Sequence, residues 1–373
     1  MKTDFLIVGS GLTGAIIART LVDAGRSVLV LERRSHVGGN VYDETHSSGI
    51  RVHTYGPHYF RTGSEKIWEF VSRFSDFYPY VACLKSEVDG RLENWPIAGS
   101  YIKRAVGEGW SAELGQQASN FEEACLSMMP RLIYEKFVKG YSEKQWGVPA
   151  SALDTALAGR FDVREDDDPR LKTQKYQGIP SQGYAALMRN ILRDIPVLLH
   201  CDYLKHRSLF RPECLTIYTG PIDAYFNYDL GKLGYRGQRR DHQYLPDIDC
   251  YQECGQVNNP SADSGAHIRT LEWKHMMEKA YADKISGTLI TRETTITPTD
   301  EDLYEYPFPD AGNHHLYCQY LARAKVIPQL LVCGRLGEYR YYDMDQAIGR
   351  ALTLAERILS YDREQTISGE IGL

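Results

Sequence analysis

The stretch FLIVGSGLTGAIIARTLVDAG, residues 5–25, indicates the fold of the first part of the chain. A short apolar run ends at Gly9, and residues spaced as in an amphipathic helix follow it as far as Gly25. A second apolar run, SVLVLE, ends at Glu32. Strand, helix and strand in so short a segment predict a right-handed βαβ unit and therefore a parallel sheet.

The turn between the first strand and the helix carries the pattern G-x-G-x-x-G, formed by Gly9, Gly11 and Gly14. Glycine permits a tight turn there and lets the backbone approach a pyrophosphate at the helix N-terminus. Glu32 ends the second strand, where an acid can accept hydrogen bonds from ribose hydroxyls. The pattern predicts a dinucleotide site, and a glycine turn without a ligand is the alternative.

Length and composition restrict the remaining possibilities. A chain of 373 residues exceeds the usual size of a single hydrophobic core, so we expect more than one domain. The net charge of −6 gives no general attraction for nucleic acid or an anionic membrane, and we expect neither as a partner. No apolar run is long enough to span a bilayer and no signal-peptide pattern is present, which predicts a cytoplasmic protein.

The eight cysteines are scattered along the chain. Only Cys250 and Cys254 lie close together, and neither a CxxC pair nor a histidine at zinc spacing accompanies them. We therefore expect reduced thiols and no metal.

The predicted fold class is α/β, with a Rossmann-like domain built on a parallel sheet, a helical insertion and a mixed or antiparallel sheet domain. The late strand QLLVCGRLG and the helix DMDQAIGRALTLAERILS suggest that the chain returns to complete the first domain. We expect the Rossmann-like domain to comprise residues 1–65, 195–235 and 325–373. A mostly helical insertion would span 66–160, a connector with a mobile charged segment, REDDDPRLKTQ, would span 161–194, and an antiparallel-sheet substrate domain would span 236–324.

Two segments favour FAD over NAD as the dinucleotide. ERRSHVGGN, residues 32–40, resembles the extension found in FAD proteins of the glutathione-reductase and amine-oxidase type. LVCGRLGEYRYYDMDQAIGRA, residues 331–351, resembles their second FAD segment. The resemblance implies that FAD is bound by Gly9, Gly11, Gly14, Glu32, Arg33, Gly38, Gly39, Asn40, Tyr55, His58, Gly334, Arg335, Asp343 and Met344.

Longer stretches carry a more specific resemblance. YGPHYF, YEKFVKGYSEKQWGVP, YQGIPSQGY, TGPIDAYFNYDLGKLGYRG and GRLGEYRYYDMDQAI resemble segments of the UDP-galactopyranose mutases, flavoenzymes that interconvert pyranose and furanose forms of a UDP-sugar. This resemblance implies a cytoplasmic isomerase that supplies galactofuranose for polysaccharide biosynthesis, with a homodimer as the expected assembly. It also implies that N5 of reduced FAD attacks the anomeric carbon of the UDP-sugar to form an adduct, without net redox change, and that NAD(P)H is the expected reductant.

The resemblance also assigns roles to individual residues. The expected catalytic residues are His58 and Arg335 beside the flavin, and Arg160 and Arg269 at the diphosphate, where a planar guanidinium suits phosphate oxygens. Aromatic stacking on uracil is expected from Phe137 and Tyr141, with Trp146 close to the sugar. The remaining substrate-binding residues are expected to be Tyr176, Arg236, Tyr306, Tyr341 and Arg61.

The chain departs from the family pattern in two places. HYFRT, residues 58–62, replaces the usual HIFHT, so Arg61 is a candidate contact for a modified or negatively charged sugar. Leu171 stands where a phosphate-binding tyrosine is usual, and Arg170 or Lys172 could donate in its place. Two alternatives remain open, an FAD-dependent oxidoreductase that uses the same scaffold on a nucleotide-sugar and a binder without activity.

Overall fold

The computed structural model describes residues 3–115 and 117–363. The strands, in chain order, are β1 Phe5–Val8, β2 Val28–Leu31, β3 Asp43–Thr45, β4 Arg51–His53, β5 Phe60–Thr62, β6 Phe77–Pro79, β7 Leu84–Val88, β8 Arg91–Trp95, β9 Tyr176–Pro180, β10 Val197–Leu198, β11 Leu215–Tyr218, β12 Tyr235–Leu245, β13 Gln256–Asn258, β14 His267–Glu272, β15 Thr288–Ile296, β16 Tyr306–Pro307 and β17 Leu330–Val332.

The α-helices are α1 Leu12–Asp23, α2 Glu65–Ser72, α3 Gly99–Val106, α4 Phe121–Leu126, α5 Arg131–Tyr134, α6 Gly140–Trp146, α7 Tyr184–Ile191, α8 Tyr203–His206, α9 Ile222–Tyr225, α10 Lys279–Ala282, α11 Ala311–Lys325, α12 Gly334–Gly337 and α13 Met344–Arg363. A π-helical turn, Glu135–Lys139, joins α5 to α6. Short 3-10 helices include Gly39–Val41, Thr155–Arg160 and Glu301–Leu303.

The first βαβ unit forms as predicted, in a five-stranded parallel sheet of order β10-β2-β1-β11-β17. Strand β1 is buried on both faces. Phe5 and Ile7 join the core that includes α1, whereas Leu6 and Val8 join a second core on the opposite face. Burial on both faces explains why the strand is a continuous apolar run. The predicted α/β class with a Rossmann-like domain is confirmed.

The late strand and helix also complete this domain. Strand β17 pairs with β11 at one edge of the sheet, and α13 packs along α1. Ile348, Ala351 and Ala355 of α13 are buried in the same core as α1. The chain therefore returns to its first domain after about three hundred residues, as the sequence indicates.

A second, mixed sheet of seven strands has the order β16-β12-β15-β14-β13-β7-β8. Its strands pair antiparallel except for β13 and β7, which are parallel. The hairpin β7–β8 lies within residues 66–160, which the sequence predicted to be mostly helical. That prediction is wrong for the hairpin, because β7 is fixed by pairing with β13, more than 160 residues further along the chain. The boundaries of the domains stay a prediction.

The helical part of the insertion has its own core. Ile102, Phe121, Met129, Tyr134 and Phe137 are all nearly inaccessible there. This core packs beneath α6 and places the last turn of α6, which ends at Trp146, beside the mixed sheet. The cleft described below lies between this insertion, the parallel sheet and the mixed sheet.

Candidate active site

A cleft of about 1250 Å³ opens at the carboxyl ends of the parallel strands. Val8, Leu31 and Tyr218, the last residues of β1, β2 and β11, line it. Ligands of open parallel sheets bind at this edge. All fourteen residues predicted to bind FAD line the cleft, and so do Arg61, Trp146, Arg160, Arg269, Tyr306 and Tyr341.

The glycine turn leaves no room for larger side chains. Gly9 has a φ of +99°, which favours glycine, and a Cβ atom on Gly14 would overlap the carbonyl oxygen of Gly9. Gly39, with a φ of +55°, approaches the same turn so closely that its Cβ would lie 3.0 Å from Cα of Gly11. The two glycine segments thus form one close-packed cradle where a pyrophosphate can approach the backbone.

Glu32 lines the cleft directly after β2, where the adenosine portion of FAD is expected, and is only 6% exposed. One of its carboxylate oxygens accepts hydrogen bonds from the backbone N–H of Ser10 at 2.9 Å and from the Ser10 hydroxyl at 2.6 Å. The other accepts from the backbone N–H of Arg34 at 2.9 Å. The acid is therefore held rigidly at the end of β2, where the sequence predicted a ribose contact.

His58 and Arg335 each present a buried nitrogen without a partner among the described residues. These atoms are His58 Nδ1 and Arg335 Nε, and both residues line the cleft. Burial, and next the charge of Arg335, lower the pKa of His58 to about 3, so its imidazole is neutral at physiological pH. Buried polar atoms normally find partners, so the two nitrogens indicate a polar ligand at this position.

The residues of the cleft therefore fit FAD. The glycine cradle and Glu32 suit the adenosine and pyrophosphate portion, and the two free nitrogens suit the polar edge of a flavin ring. Arg33 and Arg34 are held beside this portion by ion pairs with Asp302, at 2.7 Å and 3.3 Å, and Arg33 also pairs with Glu301.

Two arginines that line the cleft, Arg160 and Arg335, have no carboxylate within 4.0 Å among the described residues. Arg160 lies 4.7 Å from the ring centroid of Tyr341, and Arg335 lies 4.6 Å from the same centroid. Both also approach the ring of Tyr306, which stacks on Tyr341 at 5.8 Å. Two cations and two phenol hydroxyls thus gather at one place, which favours an anionic ligand rich in oxygen.

Two further cleft-lining arginines, Arg269 and Arg61, are already neutralised. Arg269 donates from Nε to Glu293 at 2.5 Å, and Glu293 also accepts from Arg240 at 2.9 Å. Burial opposes ionisation of Glu293, but the charges of Arg269 and Arg240 outweigh it and hold the pKa of Glu293 below its usual range. Arg61 pairs with Asp343 at 3.0 Å.

A smaller pocket of about 130 Å³ adjoins the cleft. Phe137, Tyr141 and Trp146, the residues expected around uracil, all line it. Ser142 Oγ and Gln145 Nε2 also lie in this pocket, buried and without partners among the described residues. An aromatic slot with two unpaired polar atoms suits a flat heterocycle with hydrogen-bonding edges. The sequence analysis missed Ser142 and Gln145, although both lie within the segment YEKFVKGYSEKQW.

Two predicted substrate residues lie outside both cavities. Arg236 donates to the Gln145 carbonyl at 3.2 Å and to the Thr297 hydroxyl at 2.5 Å. Tyr176, the first residue of β9, stacks on Trp68, with ring centroids 5.1 Å apart. Both residues make these contacts within the protein and line neither cavity, so a substrate contact for either stays a prediction.

Three side chains of the kinds that can bind a metal lie close together in the structure although they are separated in the sequence. Cys250, Glu272 and His275 lie with their ligand atoms within 4.8 Å of one another, outside the residues that line the cleft. The Glu272 side chain pairs with His275 at 3.2 Å and accepts from two backbone N–H groups. The histidine, His275, comes from a 3-10 helix, Trp273–Met276, and follows Cys250 by 25 positions, which is not a zinc-site spacing that the sequence pattern would reveal.

The fold and the cleft define a class, an α/β protein with a Rossmann-like sheet, a second, mixed sheet and a cleft lined by cationic side chains. Comparisons with known proteins agree with this class and also identify the family. The family of UDP-galactopyranose mutases matches residues 136–341, and a NAD(P)-binding Rossmann-like domain matches residues 7–74.

Full-length relatives support the same assignment. The chain is 32% identical to a "Probable UDP-galactopyranose mutase" of Klebsiella pneumoniae, over 96% of this chain and 95% of the relative. It is 31% identical to a "dTDP-fucopyranose mutase" of Escherichia coli, over 96% and 99% respectively. The chain belongs to the UDP-galactopyranose mutase family and is an isomerase of the mutase type, which confirms the resemblance.

Solved structures show the same fold at greater sequence distance. A reduced UDP-galactopyranose mutase superposes with a TM-score of 0.71 at 15% identity, over 96% of both chains. A putrescine oxidase superposes with a TM-score of 0.61 at 13% identity, over 97% of this chain and 99% of the oxidase. Within residues 3–115 and 117–363, no helix has the length and apolar character that crossing a bilayer requires.

Proposed function

We propose that this protein interconverts the pyranose and furanose forms of a neutral hexose attached to UDP or dTDP, with FAD bound in the cleft and active when reduced. The main support for this proposal is that two cations without a nearby carboxylate, Arg160 and Arg335, lie against the rings of Tyr306 and Tyr341. This group joins the aromatic pocket to the part of the cleft near His58 where the flavin is proposed to lie, a position that suits the diphosphate of a nucleotide-sugar.

The protein's own residues would then bind and orient the nucleotide-sugar and neutralise the charge of its diphosphate. Arg160 would balance the charge of the diphosphate while the anomeric bond is broken, because a fixed cation stabilises a departing phosphate without reorganising. Tyr306 and Tyr341 would donate their hydroxyls to the same oxygens. The nucleoside diphosphate must stay in place to be rejoined to the sugar, so tight binding of the leaving group is part of the reaction.

When bound and reduced, FAD would supply the nucleophile for the anomeric carbon, without net redox change. Arg335 would favour the negatively charged reduced flavin, because within residues 3–115 and 117–363 its guanidinium has no carboxylate within 4.0 Å. His58, being neutral, can present Nδ1 to the flavin without adding a second charge. NAD(P)H remains the proposed reductant.

Two features bear on the substrate. The aromatic pocket suits uracil or thymine, and relatives of nearly equal identity are named for UDP-galactopyranose and dTDP-fucopyranose. Arg61 was proposed from the sequence as a contact for a negatively charged sugar, but its charge is already balanced by Asp343. A neutral sugar fits this site better, with UDP-galactose and dTDP-fucose as the first candidates.

Anaerobic flavin spectra distinguish this proposal from an oxidoreductase on the same scaffold. The oxidised enzyme is mixed with UDP-galactose or dTDP-fucose, and the flavin absorbance near 450 nm is followed. The proposal predicts no substrate-dependent bleaching, and turnover only after reduction with dithionite or NAD(P)H. Stoichiometric bleaching by either nucleotide-sugar would favour the oxidoreductase instead.

A further inference from the structure

We propose that Lys172 binds the phosphates of the nucleotide-sugar and so contributes to recognition of the substrate. This inference rests on the proposed function and adds a residue to it. Lys172 lines the cleft, and within the described part of the chain its ammonium group has neither a carboxylate within 4.0 Å nor a hydrogen-bond acceptor.

The backbone around Lys172 is fixed at the cleft. The N–H of Leu171 donates to the carbonyl of Ala82 at 2.8 Å, in line with an isolated bridge between Cys83 and Arg170. The Gln177 amide donates to the carbonyls of Lys172 and Gln174, each at 3.1 Å. Lys172 is thus anchored on both sides, and only its side chain remains free to reach a ligand.

The same stretch of chain carries Arg160 at its other end. Arg160 ends the 3-10 helix Thr155–Arg160, and Val163 then forms an isolated bridge with Ile97. Arg164 next donates to the carbonyl of Asp168 at 2.6 Å, which fixes the turn before Lys172. The stretch therefore presents two unbalanced cations, Arg160 and Lys172, to one cleft, and a diphosphate provides the charge that both lack.

Arg170, two residues before Lys172, is a cation whose charge is already paired within the protein. Its guanidinium is engaged by Asp168, with Nε 2.9 Å from both carboxylate oxygens and one terminal nitrogen at 2.5 Å. Arg170 does not line the cleft. Removing either charge changes the net charge of this segment equally, so Arg170 is a matched control for Lys172.

Equilibrium binding to the purified flavin-loaded protein tests the inference, with UDP and dTDP as probes and uridine and thymidine as probes without phosphate. We expect Lys172→Gln to weaken binding of the tighter diphosphate by about tenfold or more, as for a lost charge-assisted hydrogen bond. Binding of the nucleoside should be unchanged. Arg170→Gln should bind all probes as the wild type does, and Lys172→Arg should restore most of the affinity.

The outcomes separate the two proposals. If the wild type binds UDP or dTDP and Lys172→Gln binds it equally well, the inference about Lys172 is overturned while the proposed function stands. The inference is also overturned if Arg170→Gln loses as much affinity as Lys172→Gln, because the effect would then be a general one of charge. If the wild type binds neither diphosphate, the proposed function fails and the inference fails with it.

Discussion

Replacing Glu293 by glutamine should destabilise the protein more than any exposed charge substitution. The Glu293 side chain is fully buried between Arg269 and Arg240, whose side chains are 13% and 8% exposed. Glutamine keeps the shape of glutamate, but it leaves Arg240 with Glu305 alone and leaves the buried Arg269 with no carboxylate within 4.0 Å among the described residues. Breaking a buried ion pair from one side costs about 3–5 kcal/mol.

Urea unfolding, followed by circular dichroism, measures this loss. With an m-value of about 3 kcal/mol/M, the midpoint should fall by roughly 1–1.7 M. Glu253→Gln is the control, because Glu253 is 56% exposed and pairs with Lys85 at 3.4 Å on the surface. That change should cost less than about 1 kcal/mol. If Glu293→Gln shifts the midpoint no more than Glu253→Gln does, the ion-pair network does not stabilise the fold in the way described.

Three further predictions concern titration, the cofactor cradle and the flavin. Burial, assisted by the charge of Arg51, holds the pKa of His53 well below its usual range, so the unfolded chain takes up a proton below about pH 6.5 that the folded protein does not. Stability due to this residue is complete above that pH and falls by about 1.4 kcal/mol per pH unit below it, and His53→Gln should remove that part of the slope in urea unfolding at pH 7, 6 and 5. An unchanged slope would show that His53 titrates normally. Gly14→Ala should abolish FAD retention during purification, since the new Cβ overlaps backbone, whereas Gly63→Ala, with open space around it, should keep normal flavin content. Equal flavin content in the two variants would contradict the close packing of the cradle. Arg335→Gln should lower the reduction potential of bound FAD, measured by spectroelectrochemistry, because it removes an unbalanced positive charge. A raised or unchanged potential would remove Arg335 from that role.

Local patterns predicted the parts of the fold that local interactions determine. The prediction of strand, helix and strand from β1 to Glu32 is confirmed, because the glycine turn, the helix period and the buried strands all lie within one short unit. The hairpin β7–β8 was missed because its place depends on pairing with β13, far along the chain.

In the candidate site, too, the sequence predicted which residues are involved but not the contacts that depend on distant parts of the chain. Residue identities predicted Arg160 and Arg335 as site residues, and both line the cleft, while their roles stay predictions. What the sequence could not give is the partner of each charge. Asp343 neutralises Arg61 from 282 positions away, and the engagement of Arg236 with Gln145 became visible only in the folded chain.

Product analysis with the reduced enzyme tests the central claim most directly. Dithionite-reduced and oxidised protein are each incubated with UDP-galactose and with dTDP-fucose, and the nucleotide-sugars are separated by liquid chromatography. We predict a furanose product from at least one substrate with reduced protein only, at a ratio to pyranose that is the same when approached from the furanose side. Absence of any furanose product from both substrates, with the flavin fully reduced throughout, would contradict the proposed activity on these sugars.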